Sequence, residues 1–309
     1  MVKKWVFWGV DTLLEAGLCL FGVSDLEKIS LTANASLTGP QVRSDWISAC
    51  QFKTLENSET LRRVISGVTS ASAPPFVILD LDSTLYEVAR RTFRILREWG
   101  ASSQATSITR DPLSYLTAED IRFSVRDTLI AAGLDVENAA YRDELSALRE
   151  FWWSRFFTSS YLKEDRPYPG AVDFVQRLFA AGAHLVYLTG REKMPMLEGT
   201  LSNLIRDQFP PLGDRVQLVM KDEKNGDDLA HKIEKAANLR RHGEVIASFD
   251  NEPRNVVGLY HVFPEAMHIF VDTYCSEMPA MPIGGLYRIK SFLLEVKDRI
   301  GSDCVSAKG

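Results

Sequence analysis

Four apolar residues, Phe76-Val77-Ile78-Leu79, run straight into two carboxylates one residue apart, Asp80 and Asp82, followed by Ser83-Thr84-Leu85. A short continuous apolar run behind the breaker Pro74-Pro75 reads as a strand buried on both faces, which belongs in a parallel sheet covered by helices. Residues two apart on extended backbone point the same way, so Asp80 and Asp82 emerge together where the strand ends. Open α/β sheets place their sites at that end. Two anionic groups so close repel unless a cation or a shared proton intervenes, and Mg²⁺, which takes oxygen ligands, resolves the conflict. A carboxylate beside Mg²⁺ with a second carboxyl as proton shuttle suits covalent phosphoryl transfer. The plainer alternative is a strand-to-helix turn whose Asp, Ser and Thr only cap the next helix.

Three further segments weigh against that alternative. His184-Leu185-Val186-Tyr187-Leu188 is a second apolar strand and ends in Thr189-Gly190-Arg191, a hydroxyl, a flexible backbone and a guanidinium suited to phosphate oxygens. Glu244-Val245-Ile246-Ala247-Ser248-Phe249 is a third strand and delivers Asp250, a candidate metal ligand, with Asn251 and Glu252 behind it. A helical pattern opens at Asp228 and ends near Arg240-Arg241, so Lys232 falls near the strand ends, where an ammonium neutralises nucleophile and phosphate. Lys221, which follows the apolar run from Val216 to Met220, competes for the same role.

Asp80-Leu81-Asp82-Ser83-Thr84, Thr189-Gly190-Arg191, Lys232 and Asp250-Asn251 together resemble the four ordered motifs of the haloacid dehalogenase superfamily, in its Mg²⁺-dependent phosphatase branch. The resemblance spans residues 76 to about 275 in outline but rests on four short segments. It implies a doubly wound, Rossmann-like α/β core and hydrolysis of a small phosphorylated substrate through an aspartyl-phosphate. Asp80 would be the nucleophile and Asp82 the acid and base. Thr189 would hold the phosphoryl group, with Thr84, Gly190, Arg191 and Lys221 as further phosphate-binding candidates, and Lys232 would balance charge. Mg²⁺ would sit on Asp80, the Asp82 carbonyl and Asp250. The fourth motif departs from the common pattern, because Asn251 and Glu252 stand where a further Asp is usual; Asn251 would bond a metal-bound water and Glu252 would supply the second carboxylate. Transferase action, a nucleotide or polynucleotide end-phosphatase, and a catalytically weak binding module remain alternatives.

About a hundred residues separate the first two motifs, far more than one crossover helix needs. Helical patterns over Val88–Trp99, Thr117–Ala132 and Asn138–Phe157 fill the gap, and Ala171–Ala181 reads as the crossover back to the sheet. In the resembled family such an insert is a helical cap that excludes water and selects substrate. The expected organisation is an N-terminal helical extension and linker over 1–74, a catalytic core from 75–88 plus 166–300, a cap over 89–165 and a tail over 301–309. Within the cap, Arg90, Arg91, Arg94 and Arg97 share helical faces and are read as a solvated side paired with Glu87 and Glu98 rather than a substrate face. The aromatic run Phe151 to Phe157 is read as packing between helices. Asp272 is a secondary metal or substrate candidate, with loop capping preferred. Leu286 to Leu294 is expected to form a closing amphipathic helix.

At 309 residues and 45% hydrophobic content the chain can bury a substantial core. Its net charge of −5 gives no basic footprint, so no nucleic-acid partner is expected. Cys19, Cys50, Cys275 and Cys304 lack metal-ligand spacing and suit reduced thiols in the cytoplasm. Lys3-Lys4 followed by an apolar stretch imitates a signal peptide, but Asp11 and Glu15 interrupt it. Val10 to Leu20 is therefore expected to form a packed helix rather than a stable membrane insertion, and the first 74 residues to cap the fold, form a homodimer contact or bind a partner.

Overall fold

The computed structural model describes residues 39–222 and 227–294. The Val10–Leu20 helix, Asp11, the tail over 301–309 and the Lys3-Lys4 segment lie outside the described residues. In chain order the elements begin with α1 (Arg43–Ala49), α2 (Asn57–Ser70), β1 (Pro75–Leu79) and β2 (Tyr86–Glu87). A helical insert follows: α3 (Ala89–Ala101), α4 (Ser107–Ser114), α5 (Val125–Ala131), α6 (Arg142–Phe156) and α7 (Ser159–Leu162), closed by β3 (Arg166–Pro167). The chain then runs through α8 (Ala171–Ala180), β4 (His184–Glu192), α9 (Lys193–Arg206), β5 (Val216–Lys221) and α10 (Asp228–Ala237). It finishes with β6 (Glu244–Asp250), α11 (Pro253–Val262), β7 (Met267–Val271) and β8 (Tyr287–Ile289).

Six strands form one sheet in the order β5-β4-β1-β6-β7-β8, and every adjacent pair is parallel. The α/β class with a doubly wound sheet is therefore the observed one. Strand side chains alternate between two helical layers, as a period of two requires, except where the register shift of β6 opposite Phe76 and Val77 puts Val245 and Ala247 on opposite faces. Val77, Leu79, Leu185, Tyr187, Ala247 and Phe249 join α2 and α8 in one core cluster. Phe76, Ile78, Val186, Leu188 and Val245 face the opposite layer with residues of α10 and α11. The chain leaves β1 for β4 and β5 on one side and returns to β6 and β7 on the other, so the direction of winding reverses beside β1. That reversal opens a crevice at the carboxyl ends of β4, β1 and β6.

The insert has its own core, built around Leu96, Trp99, Leu113, Leu129 and Leu148. It enters and leaves through the antiparallel pair β2 and β3, with Tyr86 opposite Pro167 and Glu87 opposite Arg166. Two expected helices are shorter than their patterns. The span expected over Thr117–Ala132 breaks at Ser124, whose hydroxyl accepts from the Asp127 amide and starts α5. That over Asn138–Phe157 begins with one 3₁₀ turn, Ala139–Tyr141. Helix α4 was not anticipated, because Pro112 sits inside it.

The closing helix expected over Leu286–Leu294 is instead the edge strand β8. Leu286, Ile289 and Phe292 are buried at a spacing of three, which imitates a helical face. The chain in fact crosses the sheet edge here, and the Phe292 amide donates to the Pro169 carbonyl at 3.0 Å. Gly170 lies directly beneath with φ +82, and a Cβ there would stand 2.5 Å from the Phe292 backbone, so only glycine fits. The linker composition of residues 67–75 likewise gives way to helix as far as Ser70.

Among the described residues, those of α1 and α2 ahead of β1 are part of the packed body. Leu61, Val64 and Val68 of α2 belong to the main core, and Trp46 of α1 is wholly buried against Phe270, 5.1 Å between ring centres. The Trp46 indole N–H donates to the Met281 carbonyl at 3.0 Å. Trp46→Ala should destabilise the fold by about 3–5 kcal/mol in denaturant unfolding; wild-type stability would show that α1 is not docked on this edge.

Candidate active site

Asp80 follows β1 directly, and the chain after it coils tightly. The amides of Thr84, Leu85 and Tyr86 all donate to the Leu81 carbonyl, and Ser83 adopts φ 57, a left-handed conformation tolerated by a small polar residue. This turn points Thr84 back at the strand end. Its hydroxyl oxygen lies 2.9 Å from Asp80 Oδ2 and 3.0 Å from Asn251 Oδ1, and accepts from the Asn251 amide at 3.1 Å. Having one proton, the hydroxyl serves one of the two acceptors at a time. The carboxyl ends of β1 and β6 are thereby joined by a side chain as well as by the ladder.

Lys232 sits one turn into α10 and is buried. Its ammonium donates to Asp80 Oδ1 at 2.7 Å and to Asp250 Oδ2 at 2.6 Å. The other Asp250 oxygen accepts from the Glu252 amide at 2.9 Å and from Asn255 Nδ2 at 3.2 Å. Burial opposes charging of Lys232, but the Asp250 and Asp80 carboxylates outweigh it and raise its pKa. Burial pushes the Asp80 carboxyl up to about 7; Lys232 opposes the rise, while Asp250 and Asp82 add to it.

Asp82 occupies a different electrostatic setting. Arg191 grips it with two bonds, Nε to Oδ2 at 3.0 Å and Nη2 to Oδ1 at 2.7 Å. Arg91 adds a third from Nη2 to Oδ1 at 2.9 Å. Behind them both guanidiniums bind Asp165, which is wholly buried. Burial works to raise the Asp82 carboxyl, yet Arg191 and then Arg91 overcome it and hold the group well below the usual carboxylate range.

The remaining candidates separate clearly. Thr189 is buried, lines the crevice and accepts from the Arg191 amide at 3.2 Å. Gly190 also lines it, and a Cβ there would stand 2.7 Å from Asp228 Oδ2. The Arg191 guanidinium, expected on phosphate, is spent on Asp82, Asp165 and Thr200. Lys221 is bonded to Asp228 at 2.5 Å, so Lys232 and not Lys221 reaches the carboxylates. Asn251 is tied to Thr84 and to the Tyr274 carbonyl. The Glu252 carboxylate faces the Ser276 amide at 2.9 Å and hydroxyl at 2.7 Å, and burial raises its pKa. Asp272 is held by Arg43 and Arg288, as a loop-fixing residue would be.

Of the four arginines at the start of the insert, Arg90 and Arg94 pair with Glu87 and Glu98 and Arg97 bonds the Ser114 carbonyl. Arg91 is the exception. Sequence reading missed its role and missed Asp165 entirely. A signal existed for Arg91, which shares the buried stripe Arg91-Ile95-Trp99 at a spacing of four. An arginine on an apolar stripe requires a buried partner.

The donor chemistry at this end of the sheet fits a hard divalent ion, since Asp80, Asp250 and the Asp82 carbonyl offer only oxygen. Two carboxylates close enough to share one ammonium are close enough to share a cation. Among the described residues no group of three or more His, Cys, Asp or Glu side chains forms a metal-binding cluster, so a main-chain carbonyl or water must complete such a site. No helix among the described residues is long and apolar enough to cross a membrane.

No protein-family model matches the chain. It is 27% identical over 137 residues to the phosphoglycolate phosphatase of Agrobacterium fabrum, a match covering 42% of this chain and 55% of that one. The chain thus spans about half the length of the curated relative it matches. Among solved structures, a haloacid dehalogenase-like hydrolase from Streptococcus pneumoniae aligns at 12% identity and TM-score 0.38, over 67% of this chain and 88% of that one. A dehalogenase aligns at 14% identity and TM-score 0.41, over 72% and 95%.

A carboxyl raised to about 7 in the fold stays protonated where the unfolded chain, with an ordinary value near 4, has ionised. Stability from Asp80 is therefore full below about pH 4 and declines as pH rises towards about 7. With chelator present, the unfolding midpoint of the wild type should fall across this window by more than that of Asp80→Asn; parallel falls would refute the raised carboxyl.

Proposed function

We propose that this haloacid dehalogenase-like chain is a Mg²⁺-dependent phosphate monoester hydrolase that works through an aspartyl-phosphate on a small phosphorylated substrate. The observation that carries the reading is the buried Asp80 carboxylate, held between Thr84 and a lysine it shares with Asp250. Such a carboxylate has its rotamer fixed from both sides and an oxygen edge on the crevice. Similarity to a phosphatase supports the same reading.

Asp80 attacks phosphorus, the ester P–O bond breaks, and the leaving alkoxide takes a proton from the Asp82 carboxyl. Water then attacks the aspartyl-phosphate, Asp82 takes a proton back, and phosphate leaves with Asp80 restored. Thr189 bonds a phosphoryl oxygen, and Lys232 holds the charge that Asp80 and the phosphoryl group share. Asp80, Asp250 and the Asp82 carbonyl would hold Mg²⁺, which when bound neutralises phosphoryl charge. The insert serves as a cap that covers the crevice and keeps water out.

The arginine grip on Asp82 favours a second reading, a protein that binds phosphate esters with little turnover. Protonation of Asp82 must work against two guanidiniums, so the grip has to loosen once substrate is in place. Binding of a phosphate mimic without hydrolysis of any ester would favour this second reading.

Aryl phosphate hydrolysis should require both Mg²⁺ and Asp80, and Asp80→Asn should abolish it while leaving the circular dichroism spectrum unchanged. Activity that survives chelator or this substitution would overturn the mechanism. Lys232→Ala should lower kcat/KM on the order of 10²-fold or more, and Lys221→Ala much less; the opposite ranking would move the charge-balancing role to Lys221.

A further inference from the structure

The crevice at Asp80 continues into a cavity of about 840 Å³ between the sheet ends and the insert. A volume of that order suits a drug-sized molecule rather than a two- or three-carbon ester. One stripe of α6 lines its insert side: Arg142, Leu145, Arg149, Trp152 and Phe156 recur at spacings of three or four, on one helical face.

The stripe is graded. Its Phe156 end lies at the chemistry, because the Arg91 guanidinium stacks 4.4 Å from the Phe156 ring centre and donates to the Phe156 carbonyl while also holding Asp82. Trp152 is next, pinned by its indole N–H on Thr92 at 3.1 Å, and Val125 and Leu129 of α5 also line the cavity. Arg149 stands seven residues from Phe156, about 10 Å along the axis at 1.5 Å per residue, and Arg142 lies two turns beyond. Two other cavity arginines are occupied, Arg126 by Glu137 and Arg122 by main-chain carbonyls. Among the described residues neither Arg142 nor Arg149 has a carboxylate within salt-bridge distance.

We infer that the substrate is a phosphate monoester with an aromatic or extended apolar body and a second anionic group about 10 Å or more from the ester, held by Arg149 and Arg142. The inference rests on the phosphatase reading for the ester end, and on the α6 stripe for the remainder. The aromatic middle takes the body of the molecule, and the guanidiniums take the distal anion in bidentate fashion. Trp153, exposed at the cavity, offers a second ring to the same body.

The test compares phenyl phosphate with two para-extended analogues, one ending in a carboxylate and one in a phosphonate. A distal anion should raise kcat/KM about tenfold or more, mainly through KM. Arg149→Gln should lower that ratio and Arg142→Gln/Arg149→Gln should bring it close to unity, whereas Arg97→Gln, which removes the same charge from the same insert outside the cavity, should leave it intact. The arm with the larger gain identifies the distal group. Equal rates for all three esters, or a preference that survives Arg142→Gln/Arg149→Gln, would overturn the inference. Calorimetric binding of the same probes to Asp80→Asn separates the two readings. Preferential binding without wild-type turnover would sink the phosphatase reading and keep the anion subsite; turnover without preference would do the reverse.

Discussion

Repulsion between carboxylates is the constraint from which the rest of this structure follows. Asp80, Asp82, Asp165 and Asp250 gather at one end of the sheet, three of them nearly or wholly buried, and none can ionise there without a cation beside it. The chain answers with Lys232 between Asp80 and Asp250, and with Arg91 and Arg191 between Asp82 and Asp165. Four acids against three bases leave the site short of one positive charge even before Glu252 is considered. Under the proposed function, that deficit is the one a divalent cation would fill.

The two halves of that arrangement produce different chemistry from the same residue type. Asp80, under the larger influence of burial, sits near neutrality in its proton affinity, while Asp82, under two guanidiniums, is held ionised. The difference arises from which cation each one meets. A single lysine must divide its charge between two acids, whereas Arg191 presents a planar fork that satisfies both Asp82 oxygens at once.

The sheet was legible because its strands are buried on both faces and therefore read as mostly apolar runs, unbroken at 76–79 and 185–188 and interrupted only by Ser248 at 245–249. Each run ends in a polar residue, so Asp80, Thr189 and Asp250 were legible with it, and Lys232 followed from the helix that leads into β6. Asp165 was not legible, since it lies between Glu164 and Arg166 in a polar stretch and only the fold turns it inward. Arg191 was read as a phosphate ligand because its neighbours suit phosphate, but the acids that claim it come from residues 82 and 165. Edge strand β8 escaped for a related reason: three residues with buried neighbours at a spacing of three carry too little alternation to distinguish strand from helix.

The Asp82–Arg91–Asp165–Arg191 network also settles how the insert relates to the core. Arg91 lies in the first turn of the insert and Asp165 at its last residue before β3, 74 positions later, while Asp82 and Arg191 belong to the core. One set of paired charges therefore ties both ends of the insert to Asp82. Removing one partner from such a set leaves a buried charge without compensation, a cost of about 3–5 kcal/mol. The insert consequently cannot swing away from the core without exposing or unpairing Asp82. Under the proposed function, a substrate that reached α6 would touch the same insert whose Arg91 holds Asp82, so recognition at the far end of the cavity would bear on the arginine grip that has to loosen for proton transfer.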